Sequence, residues 1–275
     1  MLKGYSEAEE NFEKFTSRGN LADFKTAERV NMSEFGSLDP LPEGGEYKYG
    51  TIGEGKENIK LATYGKMFSI TRQAIINDDI DAFTKIPRKM GAAAKRKVAD
   101  LVWSILTSNP LMADGKALFH ADHKNLAASG AAISATALSL ARRAMRLQRD
   151  ISGEALLNIS PYYLIVPVSK EDDARLLMTS ETDYTQANPK KPNIMKGAFE
   201  VISDPRLDAA SATAWFLTAN PQIFDVIEVA YLDGNSEPYL EEKEGWNVDG
   251  VEFKVRIDAA AKAMEYRTVY KNPGA

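Results

Sequence analysis

The stretch that decides the fold is residues 46–109, EYKYGTIGEGKENIKLATYGKMFSITRQAIINDDIDAFTKIPRKMGAAAKRKVADLVWSILTSN. In its first seven residues, tyrosine and threonine alternate with charged residues and glycine, which is the period-two pattern of a β-strand. Residues 58–72 predict a second strand, and the glycine-rich residues 53–56 between them predict a tight turn. The sequence therefore predicts a long β-hairpin.

The second arm of this hairpin does not separate apolar from polar residues. One face carries Ile59, Leu61, Thr63 and Met67, and the other carries Lys60, Ala62, Tyr64, Lys66 and Phe68. A hairpin resting on its own core would segregate them better, and an isolated two-stranded hairpin is only marginally stable in water. We therefore expect it to complete its burial on another subunit, which favours a building block over a free catalyst.

A long amphipathic helix is predicted over residues 78–109. Apolar positions recur at spacings of three or four, with one single step, at Ile80, Phe83, Ile86, Met90, Ala94, Val98, Leu101, Val102 and Ile105. Asn77, Asp78 and Asp79 are candidate N-caps, and Pro110 ends the run. At 1.5 Å per residue such a helix is ~45 Å long. Pro87 leaves two alternatives: a kink, or a main helix that starts near this proline.

Composition describes an ordinary folded protein. The 275 residues are 44% hydrophobic and 27% charged, contain no cysteine, and have a formal net charge of −5. No apolar run approaches the roughly 20 residues of a membrane helix, and the N-terminus lacks the apolar segment of a signal peptide. Disulfides and thiolate metal sites are excluded. Because the basic residues are dispersed among acidic ones, specific binding of nucleic acid is disfavoured, although enclosure of DNA is not.

Downstream, the pattern predicts a mixed α+β protein. Residues 110–133 are predicted to be a loop and residues 134–150 an amphipathic helix with a polar arginine side. The predicted apolar side of this helix comprises Leu138, Leu140, Ala141, Ala144, Met145 and Leu147. A strand at 162–168 leads into a helix capped by Ser169, with Asp172 completing a near capping box. The further predicted strands are Phe199–Ile202, Ala214–Thr218, Phe224–Leu232 and two strands placed around Asp258–Lys262. Trp103, Trp215 and Trp246 are predicted buried anchors.

Two stretches resemble ligand-binding motifs, one for phosphate and one for a metal ion. Residues 50–56 match most of a phosphate-binding loop, but Glu57 occupies the position of the magnesium-binding hydroxyl, and a strand follows instead of a helix. A hairpin turn explains these glycines better. His120, Asp122 and His123 include both histidines and have metal-ligand chemistry. Structural hydrogen bonding in a loop is the favoured interpretation, and a metal-dependent enzyme is the alternative from another class.

The order of arm, hairpin, long helix, central α/β part and closing strands resembles the major capsid proteins of tailed bacteriophages, the Hong Kong 97-like fold. More closely, the chain resembles the Mu-like major head subunit family. The resemblance is carried by FTSRGNLADFKTAERV (15–30), ALFHADHKNLA (117–127) and GWNVDGVEFKVRIDAAAKAMEYRTVYKNPG (245–274). It spans essentially the whole chain.

The resemblance implies a role for each segment. Residues 1–45 would be an N-terminal arm, and residues 46–72 an extended loop. Residues 73–150 and 241–275 would form the peripheral domain with its spine helix at 78–109, and residues 151–240 the axial domain. The expected inter-subunit contacts are Phe12, Phe15, Phe24, Tyr47, Tyr49, Lys56, Lys60, Tyr64 and Lys66. No catalytic, cofactor-binding or metal-binding residue is expected, and no lysine–asparagine cross-link, because no partner asparagine or catalytic glutamate can be matched.

The implied function is that of a major capsid protein, a virion component assembled in the host cytoplasm. It would form pentamers and hexamers of itself, in a shell that encloses double-stranded DNA without reading its sequence. Scaffolding, portal and decoration proteins would be its other partners, and it would contact no membrane. An encapsulin-type nanocompartment shares the fold and stays open as an alternative, as does the metal-dependent enzyme using His120, Asp122 and His123.

Overall fold

A computed structural model describes residues 1–32, 54–77, 85–153, 155–183, 185, 191–245 and 249–275. Within these ranges the chain has mixed α and β structure, as the sequence predicts. The helices are α1 (Leu2–Glu7), α2 (Arg72–Ile76), α3 (Ile86–Ser108), α4 (Ala135–Arg146), α5 (Glu171–Thr179) and α6 (Pro205–Ala210). The strands are β1 (Thr16–Leu21), β2 (Ala27–Met32), β3 (Glu54–Ile59), β4 (Ala62–Thr71), β5 (Pro161–Val166), β6 (Glu200–Ser203), β7 (Trp215–Ala219), β8 (Ile227–Leu232), β9 (Tyr239–Glu244), β10 (Gly250–Ala263) and β11 (Val269–Asn272).

Two compact units divide the chain, and their boundaries differ from those of the predicted domains. Unit 1 comprises Met1–Ala27, Ile59–Leu106 and Glu228–Lys262. Unit 2 comprises Glu28–Asn58, Thr107–Ile227 and Ala263–Ala275. Residues 107–150, which begin with the last two residues of the long helix, thus group with 151–227, because their strand and loop contacts lie there.

The long helix of unit 1 is α3, which runs for 23 residues from Ile86. Pro87 is its second residue, so the alternative in which the main helix starts near this proline is correct. A proline is tolerated there because its missing N–H lies in the first turn. Asn77 ends α2 as its C-cap, so it does not cap the long helix, while Asp78 and Asp79 lie outside the described residues.

The first 21 residues pack against α3 and contribute buried side chains to the core of unit 1. A Cβ on Gly4 would come within 2.0 Å of the Arg88 carbonyl oxygen, and one on Gly91 within 2.3 Å of that of Met1, so α1 lies directly against α3. Phe12 and Phe15 are fully buried, and the Phe15 ring packs 5.1 Å from that of Trp103. The expectation that this segment is an extended arm without a core is therefore wrong for residues 1–21.

A five-stranded sheet completes unit 1. Its strand order is β1-β8-β10-β4, and β9 also pairs with β10. The predicted hairpin is wrong where it is described, because β4 pairs with β10 and β3 pairs with β2. The predicted turn residues Glu54–Lys56 lie within β3. The first predicted arm, 46–52, lies outside the described residues.

Unit 2 is built on a four-stranded sheet in the order β11-β7-β5-β6. β5 and β7 are apolar and almost entirely buried, as expected for strands covered on both faces. Trp215 is buried in β7, and its indole nitrogen donates to the Ala131 carbonyl at 2.9 Å. Ser134 caps α4 by accepting a hydrogen bond from the Ala137 backbone, which confirms the predicted helix start.

Three local predictions are wrong. Ser169 does not cap α5; its backbone N–H and hydroxyl donate to Asp208 and to the Ala212 carbonyl, and Lys170 occupies the N-cap position. Residues 258–262 do not separate two strands but lie inside β10, which is continuous for 14 residues. The stretch after β8, DGNSEPYLEEKEG (233–245), is predicted by its acidic residues to be a loop, but it contains strand β9. In each case a pairing partner distant in sequence overrides the local pattern.

Candidate functional site

The exposed part of unit 1 is a three-stranded antiparallel ribbon made of β4, β10 and β9. Phe253 of β10 lies opposite Phe68 of β4 and opposite Glu242 of β9. Lys254, the next residue, lies opposite Met67 and Glu241. Because directly opposite residues of an antiparallel pair point to the same side of the sheet, the register defines two faces.

We call the side with residues 68, 242, 244, 251 and 253 face A, and the side with residues 67, 241, 243, 252 and 254 face B. On face B, charges compensate one another across the strands. Lys254 forms an ion pair with Glu241, which lowers the pKa of that carboxyl through the hydrogen bond, and Glu252 stands opposite Lys243. On face A, Glu242 and Glu244 stand opposite apolar Phe253 and Val251.

Both faces of the ribbon leave apolar side chains in contact with solvent. Met67 is 61% exposed and Phe68 is 41% exposed. Ile75 and Ile76 are also exposed, on α2, which follows β4 directly. Several large exposed apolar residues on neighbouring elements of an otherwise well-packed unit are typical of surfaces that partners cover.

The predicted inter-subunit contacts divide into three groups. Phe12 and Phe15 are buried inside their own chain, so they are not free to contact a neighbour, and that expectation is wrong. Tyr47 and Tyr49 lie outside the described residues. The remaining predicted contacts lie at the surface or partly exposed: Phe24, Lys56, Lys60, Tyr64 and Lys66.

Of this last group, Lys56 and Tyr64 have partners among the described residues. The Lys56 ammonium lies 3.4 Å from a Glu28 carboxylate oxygen in unit 2. The Lys97 ammonium lies 4.8 Å from the centre of the Tyr64 ring in unit 1, a cation–π contact. Met67, Phe68, Ile75 and Ile76 are further candidates that sequence reasoning did not select. The mixing of apolar and polar residues on both faces of the second arm was the signal that pointed to them.

The histidine cluster is held by hydrogen bonds in the loop before α4. The His123 side chain is buried, with Nδ1 3.1 Å from the Leu118 carbonyl oxygen and Nε2 2.7 Å from a carboxylate oxygen of Asp114. Its ring stacks on that of Tyr266 at 3.9 Å. Both ring nitrogens are engaged, so the structural interpretation of His123 is confirmed.

Charge around this cluster is matched locally. Partial burial acts to raise the pKa of Asp114, but hydrogen bonds from His123 and from the Lys116 backbone outweigh it and hold that pKa below its usual value. The hydrogen bond and charge of Lys116 likewise lower the pKa of Asp122. Among the residues that the structure describes, no group of three or more histidine, cysteine, aspartate or glutamate side chains is placed to hold a metal ion.

The described helices include none that is long and apolar enough to span a membrane.

Helix α4 carries a basic surface. Leu138, Ala141 and Met145 form its buried side, as predicted, whereas Leu140 and Leu147 are exposed and that part of the prediction is wrong. The helix sequence ATALSLARRAMR contains three arginines and no acidic residue. Arginines near a helix C-terminus are favoured by the helix dipole, which accounts for part of this arrangement.

Comparison with known proteins places this architecture in one family. A family model described as phage capsid protein matches residues 54–272. No curated protein sequence matches the chain.

Solved capsid structures share the fold at low sequence identity. The capsid of Ralstonia phage GP4 aligns with a TM-score of 0.66 and 12% identity, covering 98% of this chain and 92% of that one. The capsid of cyanophage P-SCSP1u aligns with a TM-score of 0.64 and 10% identity, over 96% and 88% of the two chains. A native GTA particle capsid aligns with a TM-score of 0.64 and 11% identity, over 95% and 88%. The chain belongs to the phage capsid protein family and is a shell-forming major capsid protein with the Hong Kong 97-like fold.

Proposed function

We propose that this major capsid protein assembles through pentamers and hexamers into the icosahedral head of a tailed phage or prophage, and that the head encloses double-stranded DNA. The observation that carries the proposal is the ribbon of β4, β9 and β10, which leaves apolar residues exposed on both faces. Many copies joined by several modest contacts gain stability through multivalency, without any single strong interface.

The finer assignment is to the Mu-like head subunits, supported by the stretches at 15–30, 117–127 and 245–274. In this proposal residues 22–45 act as the arm, because residues 1–21 pack in the core of unit 1. Phe24, Lys56, Lys60, Tyr64 and Lys66 stay proposed inter-subunit contacts, and so do Tyr47 and Tyr49 of the extended loop. Assembly in the host cytoplasm, with scaffolding, portal and decoration proteins as partners, belongs to the same proposal.

DNA is held in this proposal by enclosure and not by recognition. The chain has a net charge of −5, whereas proteins that grip the phosphate backbone normally have a basic excess. The protein has no catalytic role in the proposal, because His123 of the histidine cluster is committed to structural hydrogen bonds.

Negative-stain electron microscopy with light-scattering mass tests the proposal, on protein expressed alone and together with its neighbouring genes. Closed shells, or rings of five and six subunits, are the expected result. Nuclease-protected double-stranded DNA inside them identifies a phage head, and protein cargo in its place identifies a nanocompartment. A protein that stays monomeric under both expression conditions contradicts shell formation.

A further inference from the structure

Face A of the ribbon has two charges that no described residue of the chain compensates. Within the described residues, neither Glu242 nor Glu244 has an ion-pair partner, and their cross-strand neighbours are Phe253 and Val251. Phe68, on the far side of Phe253, is 41% exposed. An exposed carboxylate pair beside aromatic surface is a favourable docking site for a cationic and apolar partner.

Helix α4 in unit 2 has the opposite character. Leu140, Arg143 and Leu147 follow one another at spacings of three and four, so they form one stripe on the helix surface. The two leucines are 60% and 53% exposed. Neither Arg142 nor Arg143 has an ion-pair partner among the described residues, whereas Arg146 donates to the Asn158 side chain at 2.7 Å.

The spacing of these groups matches on the two surfaces. Neighbouring side chains along a helix stripe are about 5–6 Å apart at Cβ, and directly opposite side chains on adjacent strands are about 4.5–5.5 Å apart. A stripe reading leucine, arginine, leucine can therefore place its cation at the two glutamates while a leucine contacts the phenylalanines. Face B offers no equivalent, because Lys254 already pairs with Glu241 and Lys243 stands opposite Glu252.

We propose that face A of one copy docks on the α4 stripe of a second copy. Arg143 pairs with Glu242 and Glu244, and one of the two leucines that flank it, Leu140 or Leu147, contacts Phe253 and Phe68. The occupant is a second copy because every copy carries both surfaces, and a contact between two different patches repeats head to tail, which forms a ring when the rotation between copies closes. This inference rests on the proposed shell function and names which surfaces make the contact.

Cross-linking tests the pairing directly, because the chain has no cysteine and introduced thiols are the only ones present. One chain carries Arg143→Cys, the other carries Glu242→Cys, and the two are assembled together and treated with a bismaleimide that spans the replaced side chains. We expect covalent dimers of this mixture. The matched control replaces Glu242→Cys with Lys243→Cys, which lies on face B, and should give at least fivefold fewer dimers.

The possible outcomes distinguish a failure of the docking from a failure of the shell function. Particles that assemble without the Arg143–Glu242 cross-link, or with equal cross-linking at Lys243→Cys, overturn the docking while leaving the shell function intact. If the unmodified chain forms no particles with its neighbouring genes, both the shell function and the docking fail.

A charge exchange supplies a second readout that does not depend on thiol chemistry. Arg143→Glu should lower the yield of particles at least tenfold, because three carboxylates then face one another. Adding Glu242→Arg in the same chain should restore at least a third of the yield, since the pair is re-formed with its charges exchanged. Circular dichroism of the unassembled variants verifies that each still folds. Normal assembly of Arg143→Glu, or no recovery in the exchanged chain, overturns the docking.

Discussion

At the scale of single residues, Phe15 and Phe24 separate folding from assembly. Phe15 is fully buried against Trp103, whereas Phe24 is 43% exposed. We expect Phe15→Ala to lower the free energy of unfolding by about 3–5 kcal/mol, because truncating a buried aromatic leaves a cavity. Phe24→Ala should change it by only about 0.5 kcal/mol, as surface substitutions do. Denaturant unfolding of the unassembled protein measures both.

Particle yield in an assembly assay tests the role of Phe24 separately from its effect on stability. Phe24→Ala should reduce particle yield although the subunit is as stable as before, because the lost contact belongs to a neighbour. Equal stability losses for the two variants would contradict the division of the N-terminal segment at residue 21.

Asp114 gives a pH dependence of known sign. Its pKa in the folded protein lies below the ordinary value of 3.8, so its charged form stabilises the fold above that pH. This contribution is lost as pH falls through the lower folded-state pKa. Asp114→Asn is neutral at every pH, so it should melt a few degrees below the wild type at pH 6, with the gap narrowing below pH 3.8. Melting curves between pH 2.5 and 6 measure this, and a constant gap would count against it.

The roles of some residues were predicted from their chemical type and spacing. The spacing of His120, Asp122 and His123 is a weak metal-binding signature, so a structural role was predicted for His123, and Trp103 and Trp215 were correctly predicted to lie in the core. Phe12 and Phe15 were misplaced because their spacing lacks a helical or strand period. They lie in a short 3₁₀ turn and at its end, and they are buried by elements distant in sequence. A local pattern contains no information on such contacts.

At the scale of elements, the contact between α1 and α3 depends on glycine. An alanine normally stabilises a helix interior by about 1 kcal/mol relative to glycine. At Gly91 the sign should reverse, because the added Cβ would lie 2.3 Å from the Met1 carbonyl oxygen. We expect Gly91→Ala to lower the free energy of unfolding by about 1–3 kcal/mol, the usual cost of overpacking. Chemical denaturation measures the difference.

The matched control removes the clash and keeps the substitution. In a chain without residues 1–8, Gly91→Ala should be neutral or stabilising relative to the same truncated chain with glycine. A loss of stability in both backgrounds would indicate that the backbone of α3, and not its contact with α1, requires glycine.

Elements with a strong local period were predicted well, and elements defined by pairing were not. The apolar repeat of α3 and the start of α4 at residue 134 follow from patterns in adjacent residues. The hairpin failed because β4 pairs with β10, nearly 200 residues away, with Thr63 opposite Asp258. β9 was not predicted because its sequence, YLEEKE, is too acidic to indicate a strand. It forms a strand because it pairs with β10.

At the scale of the whole molecule, assembly should depend on salt. Charge attraction between exposed groups is screened over a Debye length of about 10 Å at 0.1 M and about 3 Å at 1 M. If Arg143 meets Glu242 and Glu244 across an interface, 1 M NaCl added during assembly should lower the assembled fraction severalfold. Light scattering measures that fraction. The charge-exchanged chain should show the same dependence, whereas assembly that is indifferent to salt would exclude a contact dominated by charge.

The continuity of β10 has a mechanical consequence. Its 14 residues run from the three-stranded ribbon, where they face β4 and β9, into the sheet, where they face β8. No hinge separates the two parts within the strand, so a torque applied to the ribbon by a neighbouring subunit is transmitted as twist into the central sheet of unit 1. A force on the ribbon therefore reaches the core of the subunit. Hydrogen-exchange protection of the β8 backbone should report whether a neighbouring subunit applies such a force.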